Sequence, residues 1–125
     1  MTGKELAAAM NGAGTPTPPN SAAHHIVGEG SARAQPARDI LDHHEIKINS
    51  PENGVFLPNK DNKDDMPGIR HCGRHPHAYV DTVNERVIET NKRGGKPAVL
   101  DELDSMRGAL SSADRNARWA TVLDN

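Results

Sequence analysis

The chain has 125 residues, a single cysteine, a formal net charge of -2 and only 34% hydrophobic residues, with one Phe, one Tyr and one Trp. That length predicts one domain with short appendages, and the lone Cys72 excludes an internal disulfide. So few apolar residues predict a thin core that gains from a metal or a partner. The charge balance gives no basic field for a polyanion, and no run of about 18 apolar residues is present to span a membrane.

Residues 1–21 read as a flexible leader. "KELAAAM" suits a turn or two of helix, and "NGAGTPTPPNS" has the composition of a partly polyproline connector. This N-terminus lacks a basic region followed by an apolar one, so a cleavable signal peptide is not expected. Residues 22–27 suggest a short strand stopped by "GEG". A helix is expected to begin near Pro36, with Ala37, Ile40 and Leu41 on one face. It ends at His43 and His44, where a cation suits the helix dipole.

"EIKINSPENGVFLP" alternates apolar and polar residues on both sides of a Pro/Asn/Gly cluster. That predicts two short extended segments, the second over residues 54–57. "NKDNKDDMPGIR" is a polar loop. Its Asp61, Asp64 and Asp65 are expected to be solvated, with a carboxylate offered to a metal as the lesser reading.

The strongest helix lies in "HPHAYVDTVNERVIETNKR", with Pro76 as its first residue and His75 as N-cap. Tyr79, Val80, Val83, Val87 and Ile88 form its apolar stripe. Beyond "RGGKP" two more helices are expected, over residues 98–110 and 112–123. The organisation is then a leader (1–21), a core (22–93) and a C-terminal helical extension (94–125). That extension either packs on the core or forms a surface for a dimer or another protein.

Seven histidines fall in three groups: His24 and His25; His43 and His44; His71, His75 and His77. Imidazoles converging from separate elements suit zinc and similar first-row ions. Adjacent strand residues point to opposite sides, so His24 and His25 cannot both ligate one ion from a regular strand. One can bind a metal while the other faces a substrate beside it. Gly73 and Pro76 interrupt the H-x3-H spacing of His71 and His75. His71 is therefore expected in an approach loop and His75 at a helix tip, both aimed inward. With His24 they give three metal ligands and an open position, the arrangement of catalytic rather than structural metals. His77 is expected to face solvent.

"AAHHIV", then "ARDILDHHEIKINSPENGVFLP", then "HCGRHPHAYVDTV" resemble the AHH branch of the HNH/endonuclease VII nuclease superfamily, in order, over residues 20–91. Gly28 stands where that pattern frequently has Pro. The resemblance implies an α+β fold: a small ββα-metal core with additional flanking α-helices. It implies a metal-dependent endonuclease that hydrolyses phosphodiester bonds. His25 matches the general base, Asn53 the central Asn that holds the base-bearing loop, and His24, His71 and His75 the metal-ligand positions.

Arg70, Arg74 and Tyr79 are candidate phosphate contacts, with surface exposure or core packing at least as expected for each. The cofactor is one divalent ion: Zn²⁺, Mg²⁺ or Mn²⁺. The resemblance further implies the toxin module of a bacterial polymorphic (Rhs or type VI) effector, delivered into a target bacterium. Its substrate would be DNA without sequence preference, its partner a cognate immunity protein. The rival readings are an RNase on the same scaffold and a metal-stapled binding module without catalysis.

Overall fold

A computed structural model describes residues 2–71 and 75–124. Ser21–His25 (β1) and Gly54–Pro58 (β2) pair as a two-stranded antiparallel sheet, with His24 opposite Val55 and His25 opposite Gly54. Side chains alternate across each strand. Ala22, His24, Val55 and Leu57 therefore share one face, and Ala23, His25 and Phe56 share the other.

The second face is covered by the segment expected to be a flexible leader. Thr2–Gly12 forms a helix (α1), whose Leu6 and Met10 are buried against Phe56 with Ala23 beside them. Their spacing of four residues puts both on one side of the helix. α1 comes so close that a Cβ on Gly54 would lie 2.7 Å from Met10 Sδ and 2.9 Å from Leu6 Cδ1. The connector proper is thus confined to the residues between α1 and β1.

The first face looks onto the main core. The helix expected near Pro36 runs Gln35–His43 (α2) and buries Ala37 and Leu41. It closes through Glu45 in the left-handed region (φ 58), with Ile46 N–H donating to Leu41 C=O at 2.8 Å and Ile46 buried. This is the hydrogen-bonded C-terminal motif usually built on glycine. Residues 45–49 consequently hold turns at 45 and 48–49 and no strand, where the first of two extended segments was expected. Ile46 and Ile48 alternate because both pack on the core, not because the backbone is a strand.

The long helix His77–Ser112 (α3) is broken at Gly95 (φ 64, ψ -148), with Pro97 just beyond. Arg86 Nε and Glu102 Oε2 are 2.6 Å apart. Sixteen residues of continuous helix would separate them by about 24 Å, so α3 doubles back as a helical hairpin. "RGGKP" is the turn of that hairpin, at the place where one helix was expected to end before the next. Its two limbs bury Tyr79, Val83 and Val87 against Val99, Leu103, Met106 and Leu110. The extension beyond residue 94 is therefore core material down to Leu110. Buried Asn84 ties α2 to the hairpin, donating to Arg33 C=O and accepting from Ala37 N–H.

Two further differences concern helix ends. Pro76 is extended (ψ 153) and takes the N-cap position, so the helix starts at His77 and His75 lies one residue outside it. Residues 113–123 make successive turns instead of a third helix. Asp114 Oδ1 accepts Asn116 N–H at 2.8 Å, a local bond that competes with helix. Arg115 donates to the carbonyls of Asn62 and Asp64, fastening the tail to the polar loop. No helix among the described residues is long and apolar enough to cross a membrane.

Candidate active site

β1 carries the histidine pair to opposite sides, as strand geometry requires. His24 is 2% exposed and meets α3, its Nε2 standing 3.0 Å from Tyr79 Oη. Tyr79 Oη donates its one proton to Ile26 C=O at 3.1 Å. His24 Nε2 must then be the donor to Tyr79, which leaves the lone pair on Nδ1.

His71 and His75 approach from the chain entering α3. Their ring centroids lie 5.9 Å and 4.7 Å from that of His24, and 6.4 Å from each other. Three imidazoles around one ion, with metal–nitrogen bonds near 2 Å, stand with centroids roughly 5 Å apart. The observed spacings straddle that value. Burial, then the neighbouring His75, His71 and His25, hold the His24 pKa well below its ordinary 6.5. Burial and then His71 bring His75 to about 4, and burial lowers His71. Neutral imidazole is the form a metal ligand needs, so this donor set fits a divalent ion. Among the described residues no three such side chains stand in coordinating array, although His24 Nδ1 keeps its lone pair.

His25 turns toward α1. Its Nε2 lies 2.6 Å from Asn49 Oδ1, and Asn49 Nδ2 donates to Glu5 Oε2 at 2.9 Å. An amide oxygen only accepts, so Nε2 carries the imidazole proton and Nδ1 offers a lone pair. His24 and His25 nevertheless line one cleft of about 710 Å³, together with Gly28, Ser31, His71, His75, His77 and Tyr79 among others.

Asn53 is fully buried and fastens the loops on either side. Its Oδ1 accepts Val27 N–H at 2.8 Å, and its Nδ2 donates to the carbonyls of Val27 and Ile48 at 3.0 Å each. Its own carbonyl accepts Ile26 N–H. The residue after Ile48 is Asn49, the partner of His25. Asn53 thus acts through the loops and does not itself face the cleft. Arg107 braces the same turn, donating to the carbonyls of Pro51, Glu52 and Gly54.

Among the phosphate-contact candidates, Arg70 is exposed and outside the cleft lining. Arg74, with Cys72 and Gly73, lies outside the described residues. Tyr79 is 3% exposed, and its hydroxyl is held between His24 and Ile26. Asp61, Asp64 and Asp65 are exposed and away from the cleft, as expected of a solvated loop. His43 is exposed, and His44 Nε2 pairs with Asn91 Oδ1.

Trp119 and Asn49 were not expected here. The Trp119 ring lies 4.4 Å from His75, 5.0 Å from His24 and 5.1 Å from Tyr79, centroid to centroid, with Nε1 donating to Arg70 C=O. It walls the histidine cluster. Its being the sole tryptophan of the chain was the one available signal. Asn49 had none, because an Asn in a polar turn looks like any other.

A family model of "a nuclease family of the HNH/ENDO VII superfamily with conserved AHH" matches residues 6–112. Comparisons with curated proteins and with solved structures return no match. Nucleases of this superfamily act on nucleic acid and generally use a divalent metal. The "AHH" of the description is Ala23-His24-His25, on the strand that divides the two imidazoles between the faces of the sheet. With most of its length matched and a small α+β fold built on that strand, the chain belongs to the AHH nuclease family of the HNH/endonuclease VII superfamily.

Proposed function

We propose that the chain is a metal-dependent endonuclease cutting DNA without sequence preference, with His25 as general base and His24, His71 and His75 as metal ligands. The observation that carries this reading is the division at β1: a cluster of neutral imidazoles on one face, and a singly bonded imidazole on the other, lining one cleft. A divalent ion held by the three histidines would polarise a scissile phosphate oxygen and stabilise charge at the leaving 3′-oxygen. His25 Nδ1 takes a proton from water as it attacks phosphorus in line, a role suited to an imidazole near neutral pH. Asn49 holds the His25 ring, and Asn53 holds the loop that bears Asn49. Tyr79 and Trp119 hold the His24 and His75 rings and exclude water from behind them.

With a net charge of -2, binding to nucleic acid is expected to be weak, salt-sensitive and non-specific. The resemblance to AHH toxins extends the proposal. The chain would be the toxin module of an Rhs- or type VI-type effector, acting inside a target bacterium and neutralised in the producer by an immunity protein.

The test incubates purified protein with plasmid DNA and with structured RNA, each with Mg²⁺, Mn²⁺, Zn²⁺ or EDTA. Metal-dependent nicking of plasmid is expected, abolished in His25→Ala while metal content and melting temperature stay near wild type. His24→Ala is expected to lose both metal and activity. Cutting of RNA alone replaces the DNase reading with a ribonuclease, and no cleavage of either substrate under any metal overturns catalysis. In cells, toxicity relieved by His25→Ala is expected.

A further inference from the structure

Glu5 lies one residue outside the span matched by the family model and on the helix that reads as a leader. Yet its carboxylate ends a hydrogen-bonded chain that begins at His25. We propose that Glu5 is a positioning residue that selects the protonated nitrogen of His25, acting through Asn49. This rests on the reading of His25 as the general base.

A carboxylate only accepts, so the Asn49 side chain must turn its NH₂ toward Glu5 Oε2 (2.9 Å). Its oxygen then faces His25 Nε2 (2.6 Å), which must carry the proton. Nδ1 is left as the basic nitrogen. An asparagine rotated by a half-turn about its last bond occupies the same space but presents NH₂ to Nε2. The proton would then sit on Nδ1, and that nitrogen could not take one from water. Shape alone does not separate the two orientations of Asn49; the acceptor on α1 does.

The packing supports a fixed distance between the partners. α1 is seated by Leu6 and Met10 on the face of the sheet that His25 shares. On the other side, Asn53 Nδ2 holds Ile48 C=O, next to Asn49. Glu29 Oε2 also lies near His25 Nε2, but at 3.9 Å it is beyond hydrogen-bond reach.

The test exchanges the acceptor for a donor. Glu5→Lys forces the Asn49 oxygen toward the ammonium and its NH₂ toward His25. Adding Asn49→Asp gives a side chain that accepts from both neighbours, and the original arrangement returns. Long-range ¹⁵N–¹H spectra of the full chain, taken near pH 8, report which ring nitrogen of His25 is protonated, independently of cleavage. Wild type is expected to be protonated at Nε2, Glu5→Lys at Nδ1, and the double variant again at Nε2.

Plasmid nicking is expected to follow. A wrong tautomer leaves binding intact but removes the base. kcat should therefore fall at least about tenfold in Glu5→Lys, with KM within about twofold, and recover in the double variant. Melting curves check the fold. If Glu5→Lys does not fold, Glu5→Ala is read instead, and is expected to give a mixture of tautomers and an intermediate kcat. A His25 spectrum unchanged in these variants overturns the proposal. A spectrum that switches as expected without any effect on cleavage leaves Glu5 as the tautomer selector and overturns His25 as the base.

Discussion

Asn53 offers a sharp test of how the site is held together. Truncation to Ala leaves two buried backbone groups, Val27 N–H and Val27 C=O, and the half-buried Ile48 C=O without this partner. A buried polar group left unsatisfied costs about 1–3 kcal/mol. The carbonyls, with two lone pairs each, lie at the low end of that range. The sum is ~3–5 kcal/mol, a large share of the ~5–15 kcal/mol that stabilises a typical domain.

Asn53→Asp is nearly the same shape and keeps the acceptor for Val27 N–H. It also turns an oxygen toward two carbonyl oxygens, so it should destabilise at least as much as Ala. Urea titration followed by Trp119 fluorescence reads both variants, with an unchanged m-value confirming that the same surface unfolds. Because the freed loop bears Asn49, turnover should fall more than KM rises at temperatures where the variant is folded. A loss of less than about 1 kcal/mol with wild-type turnover would show that the loops are held by other means and do not need these bonds.

Acid is expected to destabilise the metal-free protein through the histidine cluster. The folded-state pKa values of His24, His71 and His75 lie below 6.5. Between 6.5 and those values the unfolded chain binds protons that the folded chain does not. Stability is therefore full above pH 6.5 and falls below it, by ~1.4 kcal/mol per pH unit for buried His24. The partly exposed His71 and His75 add less each. A melting temperature that stays level from pH 7 to pH 5, or that falls equally in His24→Phe, would sink this account.

Gly54→Ala probes the seat of α1. The backbone there is ordinary (φ -121), so the only penalty is the new Cβ against Met10 and Leu6. Overpacking of ~1–3 kcal/mol is expected, with faster amide exchange along α1 than elsewhere. Uniform exchange and an unchanged melting temperature would show that α1 yields without cost.

The parts of this fold that were legible in the sequence are those whose signal is local. The stripe from Tyr79 to Val87, the break at "RGGKP", Pro36 at a helix start and the strand from Gly54 each carry their own chemistry. The meeting of His24, His71 and His75 was also legible, because a histidine on the strand and two on the approach to a helix left few combinations. What was not legible depends on partners far along the chain. "KELAAAM" is a weak helix by itself, and docks only because Phe56 and a side-chain-free Gly54 await it. The tail reads as a helix until Arg115 and Trp119 find the polar loop and the Arg70 carbonyl. Ile46 and Ile48 imitate a strand because a left-handed glutamate closes the helix before them. Asn49 and Glu5 acquire meaning only once the sheet places α1 and the 45–49 turns on either side of His25.

The hydrogen bonds that frame the cleft share one further property. His25–Asn49, Asn49–Glu5, Trp119–Arg70, Tyr79–Ile26 and His24–Tyr79 span 24, 44, 49, 53 and 55 residues of chain. Each closes a long loop, whose entropy is lost before the contact repays it. Helices can form early and locally in such a chain, but none of them holds a working part of the site alone. The frame of the cleft is therefore complete only once all of these long loops have closed. On the reading proposed above, cutting has to wait until the segment that bears Trp119 has returned to the strand that bears the two histidines.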